Sequence, residues 1–353
     1  MRGFALAFAV AAMLLAGRAI AYDIRPVAGV HEAFTLLAER CRTEAGAAQP
    51  RDCLRYADEV GRWTGRRDNS TDDPLQLAVR WPDDPLRQLS STAGTLRYGR
   101  SMTSSCPRSV RETAAIDRMS LTCASHFGPL QFFHAMASAN GEAAEQTRAR
   151  ILDWADLTYR LAIGRVPLST NICSWFRDNP SDISPSFSFD DPEICAPGDE
   201  REWTLATFFG QACDSATNTA NCDRLGEERA MAAVRGALLH VIQDSYSQSH
   251  AARGRALAGG GYRPRVVCRL PSGFYNYLGQ AGHGDADSQP EFDQTCGAGA
   301  EADDVITASA MALHFLDRRA DPGEFSCYLQ ARVFGRRTVW ANPNPRARYS
   351  CRA

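Results

Sequence analysis

The chain has 353 residues, of which 44% are hydrophobic, and a formal net charge of -2. That apolar content is enough to bury a core and excludes global disorder, while the charge balance speaks against a nucleic-acid coat or a polyanion-binding arm. All 39 basic residues are arginine, which removes Schiff-base chemistry and the P-loop lysine, and no G-x-S-x-G elbow is present.

In chain order, residues 1–21 read as a signal peptide. Arg2 supplies the positive start, residues 4–15 a short apolar run, and Ala19-Ile20-Ala21 an A-x-A cleavage site. The run is too short to span a bilayer, so the expected destination is the periplasm or the exterior. Cleavage after Ala21 would make Tyr22 the new terminus. Residues 29–42 predict a helix from the spacing of Val30, Phe34, Leu37 and Cys41, with His31 beside them. From 44 to 108 the chain is polar and is broken by Trp81-Pro82-Asp83-Asp84-Pro85. This stretch reads as an irregular insert with one short helix near 52–62. A helix-like stretch covers 110–138, and the clearest amphipathic helix covers 142–162, where Ile151, Trp154, Thr158 and Leu161 share a face. After a Ser-, Pro- and Asp-rich loop over 178–200, helices are expected at 202–213, 225–246 and 301–318. A tail over 319–353 is expected to hold strands and to pack on or near the domain. Long helices with few alternating segments predict a mainly α fold, one multi-helix domain over 22–318 with irregular disulfide-linked inserts.

All twelve cysteines follow residue 21. An even count in an exported chain implies disulfides, and the absence of any C-x-x-C pair argues against a thiolate zinc site. Their connectivity is not readable from sequence, although Cys213 and Cys222 are close enough to bridge locally.

The chemistry concentrates in Leu239-His240-Val241-Ile242-Gln243-Asp244-Ser245-Tyr246-Ser247-Gln248-Ser249-His250. His240 and Asp244 lie four apart on a helical pattern, so both side chains project from one face and can grip one ion. The run of serines predicts that the helix ends or bends, which would bring His250 to an adjacent ion. His126 and His134 lie eight apart on one helix-like stretch and both could approach a site; for His134, flanked by Phe132 and Phe133, the packed core histidine is the commoner case, and His314, in an apolar stripe, reads as packing. Arg253 and Arg255 are candidates for holding a phosphate, though solvated arginine is the commoner case.

The H-x3-D-x5-H spacing at a helix end resembles the zinc-dependent bacterial phospholipases C and the related fungal single-strand-specific nucleases. That resemblance implies a site of three Zn2+ ions in which an aspartate bridges two of them. Carried over residue by residue, it places Asp117, His126, His240 and Asp244 on one ion. His250, His283 and Asp287 hold a second, and Tyr22, through its terminal amine and carbonyl, joins His31 and Asp244 on the third. Asp117 would double as general base. The family usually begins with Trp and often carries Pro in the five-residue gap, where this chain has Tyr22 and Gln248. The implied activity is hydrolysis of a phosphodiester, first of all phospholipid head groups with peripheral membrane contact, or single-stranded nucleic acid under the nuclease alternative. The late H-x3-D pair leans toward the nucleases. The segment after His250 lacks the glycine-rich stretch associated with them. A reading from another class is a secreted disulfide-rich binding protein with structural histidines, which the metal content of the purified protein separates from both enzymes.

Overall fold

A computed structural model describes residues 29–64, 73–90, 92–199, 201–210, 226–254, 265–279, 290–336 and 351. The proposed signal peptide, Tyr22, His283, Asp287, Arg255, Cys213 and Cys222 lie outside the described residues.

The helix Glu227–Asp244 is apolar on nearly every face from Ala230 onward, and a helix of that pattern must be surrounded. It starts with Glu227 and Glu228, acids that favour the positive end of the helix dipole. Around it pack Ala144–Ala162, Pro74–Ala78, Leu205–Gly210 and Val305–Arg318. The last of these begins at Asp304, whose carboxylate accepts the amides of Ile306 and Thr307, and it lies against Val30–Ala45. The fold is therefore mainly α, as expected. The only strands among the described residues are two-residue pairs: Ala251–Ala252 antiparallel to Gly273–Phe274, and Arg265–Val266 parallel to Glu291–Phe292.

Gly236, in the middle of the central helix, marks its closest neighbour. A Cβ there would stand 2.2 Å from the carbonyl oxygen of Ala78 and 2.7 Å from the amide nitrogen of Val79. An ordinary helix interior gains about 1 kcal/mol when Gly becomes Ala. Here Gly236→Ala is expected to destabilise by about 1–3 kcal/mol, because backbone must move. A thermal melt reads the sign, and an unchanged or higher Tm would contradict the close approach.

Several expectations change. The stretch 44–108 is not irregular; it carries the helices Ala57–Thr64, Pro74–Ala78 and Thr92–Arg100 and the start of Cys106–Glu112. The expected helix over 110–138 is four short pieces, the end of Cys106–Glu112, then Ile116–Arg118, Leu121–His126 and Gln131–His134, because Ser120 caps a new helix and Gly128-Pro129 interrupts the next turn. Among the described residues beyond 320, a helix, Pro322–Arg332, stands where strands were expected. Its Phe325 stacks on Tyr159 at 4.2 Å, so this part of the tail belongs to the core.

Ten of the twelve cysteines form five local disulfides: Cys41–Cys53, Cys106–Cys123, Cys173–Cys195, Cys268–Cys296 and Cys327–Cys351. No described cysteine is free. This agrees with an oxidising compartment. No helix among the described residues is long and apolar enough to cross a membrane.

Candidate metal centre

The central helix ends at Asp244, where the serine run begins. Ser245 Oγ bonds back to the carbonyl of Ile242, and the turn that follows returns His250 so that its Nδ1 is 3.5 Å from Asp244 Oδ2. His240 and Asp244, one turn apart, meet as their spacing predicts, with Nε2 to Oδ2 at 2.9 Å. His31 reaches the other oxygen of the same carboxylate, Nε2 to Oδ1 at 3.1 Å.

Two residues enter that sequence reasoning did not place there. His134 turns its Nδ1 to within 2.9 Å of Asp244 Oδ2 and 3.0 Å of His240 Nε2. It sits on a single turn of 3-10 helix, Gln131–His134, where Phe132 and Phe133 pack into the core while the imidazole faces the cluster. The second is Asp83. Its Oδ1 is 3.7 Å from both His126 Nε2 and His134 Nδ1, and its Oδ2 is 3.8 Å from His240 Nε2. These gaps exceed a hydrogen bond and are too narrow for a side chain.

Asp117, expected as both ligand and base, is not in the cluster. Its oxygens accept the amides of Asp190 and Asp191 at 2.9 and 3.0 Å, so the carboxylate fastens a loop. Asp83 stands against His126 where Asp117 was expected to stand. Of the two neighbouring acids between Pro82 and Pro85, Asp84 spends both oxygens on the amides of Gln88 and Leu89, each at 2.7 Å, and Asp83 is left to face inward. The segment is fixed on three sides. Trp81 lies 4.8 Å from the ring of Phe209, Arg80 pairs with the buried Glu32 at 2.5 Å, and Ser125 Oγ donates to the carbonyl of Pro82 at 3.2 Å.

Five of the chain's seven histidines and two aspartates thus meet with essentially no solvent exposure. Three overlapping sets of ligand atoms lie within 4.8 Å of one another: His31, Asp83 and His240; Asp83, His126 and His134; and His134, His240 and Asp244.

The tautomers decide what this cluster can hold. A carbonyl oxygen only accepts, so an imidazole nitrogen bonded to one must carry the proton. His240 Nδ1 donates to the carbonyl of Val79 at 2.8 Å, His126 Nδ1 to Thr122 at 2.8 Å, and His250 Nδ1 to His134 at 2.6 Å. His31 Nδ1 donates to Gln243 Oε1 at 2.7 Å, an amide oriented by its own donation to Thr35 Oγ1 at 3.1 Å. Each neutral ring then presents a lone pair at Nε2, the form that binds metal, held by the outer hydrogen bond typical of ligating histidines. The lone pairs of His240 and His31 point at carboxylate oxygens 2.9 and 3.1 Å away. A proton or a metal cation between the facing atoms satisfies each pair. His134 Nδ1, His240 Nε2 and Asp244 Oδ2 form a triangle with edges of 2.9–3.0 Å. Ligands about 2.0–2.1 Å from a tetrahedral ion stand roughly 3.3 Å apart, so the triangle is close to one face of such a shell. Imidazole and carboxylate are also the donors zinc takes. The buried His/Asp groups can hold a metal ion.

The electrostatics follow from burial and proximity. Burial pushes the His240 imidazole down to about 4 against the pull of Asp244, and drives His134 well below its ordinary value. Burial also works against the charge on Asp244, yet His240, His250 and His31 and the bond from His134 hold its carboxyl well below the usual range. At His31 burial is outweighed by Asp244 and by the Gln243 bond, and the imidazole lies above its ordinary value.

Arg253 is not placed to hold a phosphate. It is buried, donates to the carbonyls of Ser245, Arg269 and Val333, and stacks over Tyr246 at 3.8 Å. Arg148 does likewise with the carbonyls of Pro271 and Phe334, at 2.9 and 2.8 Å. Arg253 ties Arg269 and Val333 to the turn after the central helix, and Arg148 ties Pro271 and Phe334 to the helix Ala144–Ala162. Arg253→Met is expected to cost about 2–4 kcal/mol, since three buried carbonyls lose their donor. Chemical denaturation measures it, and a cost under about 0.5 kcal/mol, the level of an ordinary surface change, would return the arginine to a surface role. His314 lies in the Val305–Arg318 helix, its ring centroid 6.3 Å from that of Phe315, a packing position as expected.

No family model, curated protein or solved structure matches this chain.

Proposed function

We propose that the chain is an exported zinc-dependent phosphoester hydrolase that cleaves phospholipid head groups in the manner of a phospholipase C. The observation that carries this reading is the buried set of two carboxylates and four imidazoles, His31, His126, His134 and His240 with Asp83 and Asp244, whose lone pairs converge where a cation belongs. Zinc held there would supply Lewis acidity toward phosphoryl oxygens and hydroxide near neutral pH. The chain's own contribution is to aim the Nε2 atoms of His31, His126 and His240 inward through fixed Nδ1–H donors. Asp244 turns one oxygen to His31 and the other to His134 and His240, as a carboxylate shared between two ions would. Asp83 replaces Asp117 as the candidate proton acceptor. The net charge of -2 offers no basic arm for a polyanion, which favours a phospholipid over a nucleic-acid strand.

The test is elemental analysis of the purified protein followed by assays on phosphatidylcholine and single-stranded DNA. Zinc in excess of one ion per chain with phosphatidylcholine turnover is expected. DNA turnover alone would move the chain to the nuclease reading, and no bound metal would leave the histidines structural. Chelation should also destabilise the fold. A ligand at about a thousand times its Kd contributes roughly 4 kcal/mol, and its removal should lower Tm by several degrees, restored on adding Zn2+. An unchanged melt after exhaustive chelation would speak against an ion among these groups.

A further inference from the structure

The helix Thr92–Arg100 turns most of its residues to solvent, with Leu96 48% exposed. Among its described side chains Tyr98 alone is buried, at 3% exposure. Tyrosine brings a hydroxyl into that position, and the hydroxyl has no hydrogen-bond partner among the described residues. A buried donor that makes no bond costs stability, and phenylalanine would fill the same space without that cost.

The ring shows where the hydroxyl sits. Its centroid is 6.4 Å from that of His126, with the two planes at 83°, and Tyr277 meets the same imidazole at 5.7 Å and 82°. This is the imidazole whose Nε2 faces Asp83 Oδ1 at 3.7 Å. Burial first, and then the charge of Asp83, push the Tyr98 phenol well above its ordinary value. Asp83 is thus the carboxylate the hydroxyl feels most strongly. A phenol keeps its proton at neutral pH even at an ordinary pKa of about 10, so its capacity to donate does not depend on that shift.

We propose that the Tyr98 hydroxyl donates a hydrogen bond to a phosphoryl oxygen of a phosphoester seated at the Asp83–His126 edge of the metal centre. The assignment rests on the hydrolase reading and adds to it the group that recognises the tetrahedral oxyanion. Asp83 accepts and Tyr98 donates at one edge, so an oxygen that gains charge as the ester is attacked meets a donor beside the carboxylate. A donor fixed in advance in a site shielded from water needs no reorganisation when that charge develops. A neutral phenol suits the place, because an arginine there would compete with a metal ion for Asp83 and repel it. The stability lost to the unmade hydrogen bond is recovered when the oxyanion binds.

Tyr98→Phe in the full chain loaded with Zn2+ tests the proposal, read by elemental analysis, thermal melt, titration calorimetry with inorganic phosphate, and phosphatidylcholine turnover. Zinc content equal to that of the unsubstituted chain and an unchanged or higher Tm are expected. Phosphate should bind at least fivefold more weakly, and kcat should fall at least tenfold, where loss of one preorganised oxyanion donor typically costs about 100–1000-fold. A purely structural hydroxyl would lower Tm on removal and leave phosphate affinity alone. Equal phosphate affinity in the two proteins, as a hydroxyl satisfied by a structural water would give, would overturn the role of Tyr98 and leave the hydrolase reading standing. Loss of zinc in Tyr98→Phe would also overturn it, by making the phenol a support for the ligands. An unsubstituted chain that holds no zinc or turns over no phosphodiester would instead sink the hydrolase reading, and this assignment with it.

Discussion

Asp244→Asn is expected to remove at least one metal ion and to lower phosphodiester hydrolysis by roughly a thousandfold, equivalent to ~4 kcal/mol. The carboxylate is the hub of the cluster, with His31 on one oxygen and His134 and His240 on the other. Asparagine keeps the shape but loses the charge, and its amide nitrogen turns a donor toward lone pairs that need a cation. The fold should survive, because five local disulfides and the helix packing are elsewhere. Elemental analysis, circular dichroism and the phosphatidylcholine assay are read together. Full zinc content with near-normal turnover would sink the placement of the site. His314→Ala, outside the cluster, should instead affect stability more than rate.

The second large effect separates two aspartates. Asp83→Asn should lower metal content and reduce hydrolysis by at least about a hundredfold, since loss even of a group supporting the ligands costs about 10–100-fold. Asp117→Asn should leave both metal and rate within about twofold, because its oxygens serve only the amides of Asp190 and Asp191 among their hydrogen bonds. Its cost should appear as stability, about 1 kcal/mol for weakened loop hydrogen bonds. If Asp117→Asn were the variant that lost metal, the cluster would be wrongly drawn at its Asp83 edge.

How much of this was legible follows from the range of each signal. His240, Asp244 and His250 were readable because helical periodicity and a helix-stopping serine run are local. The long helices were readable for the same reason, with Ala144–Ala162 within two residues of its expected start. Asp83 was hidden because Pro82 and Pro85 mark it as a break in the chain, and nothing local says that Trp81 and Arg80 anchor that break against the core. His134 was taken for a packed residue on the strength of Phe132 and Phe133. Those rings do pack, but a 3-10 turn sends the next side chain to another face. The closeness of Pro74–Ala78 to the central helix is recorded only in Gly236, a residue that in isolation reads as a weak helix former. Disulfide pairing stayed open because five bridges among many cysteines have many permitted connectivities.

The imidazole anchors bear on how this site tolerates genetic drift. His126, His240 and His250 are steered by main-chain oxygens of Thr122, Val79 and His134. A substitution at 79 or 122 replaces a side chain but leaves the carbonyl where it was. Those positions can therefore wander without erasing the orientation of the ring they serve, and pairwise covariation in a set of relatives would be silent about two real contacts. His31 is the exception, since its partner is the amide of Gln243. Of the four steered rings, only His31 has an anchor that one codon change at a residue outside the cluster can delete, so position 243 is where neutral variation should be scarcest.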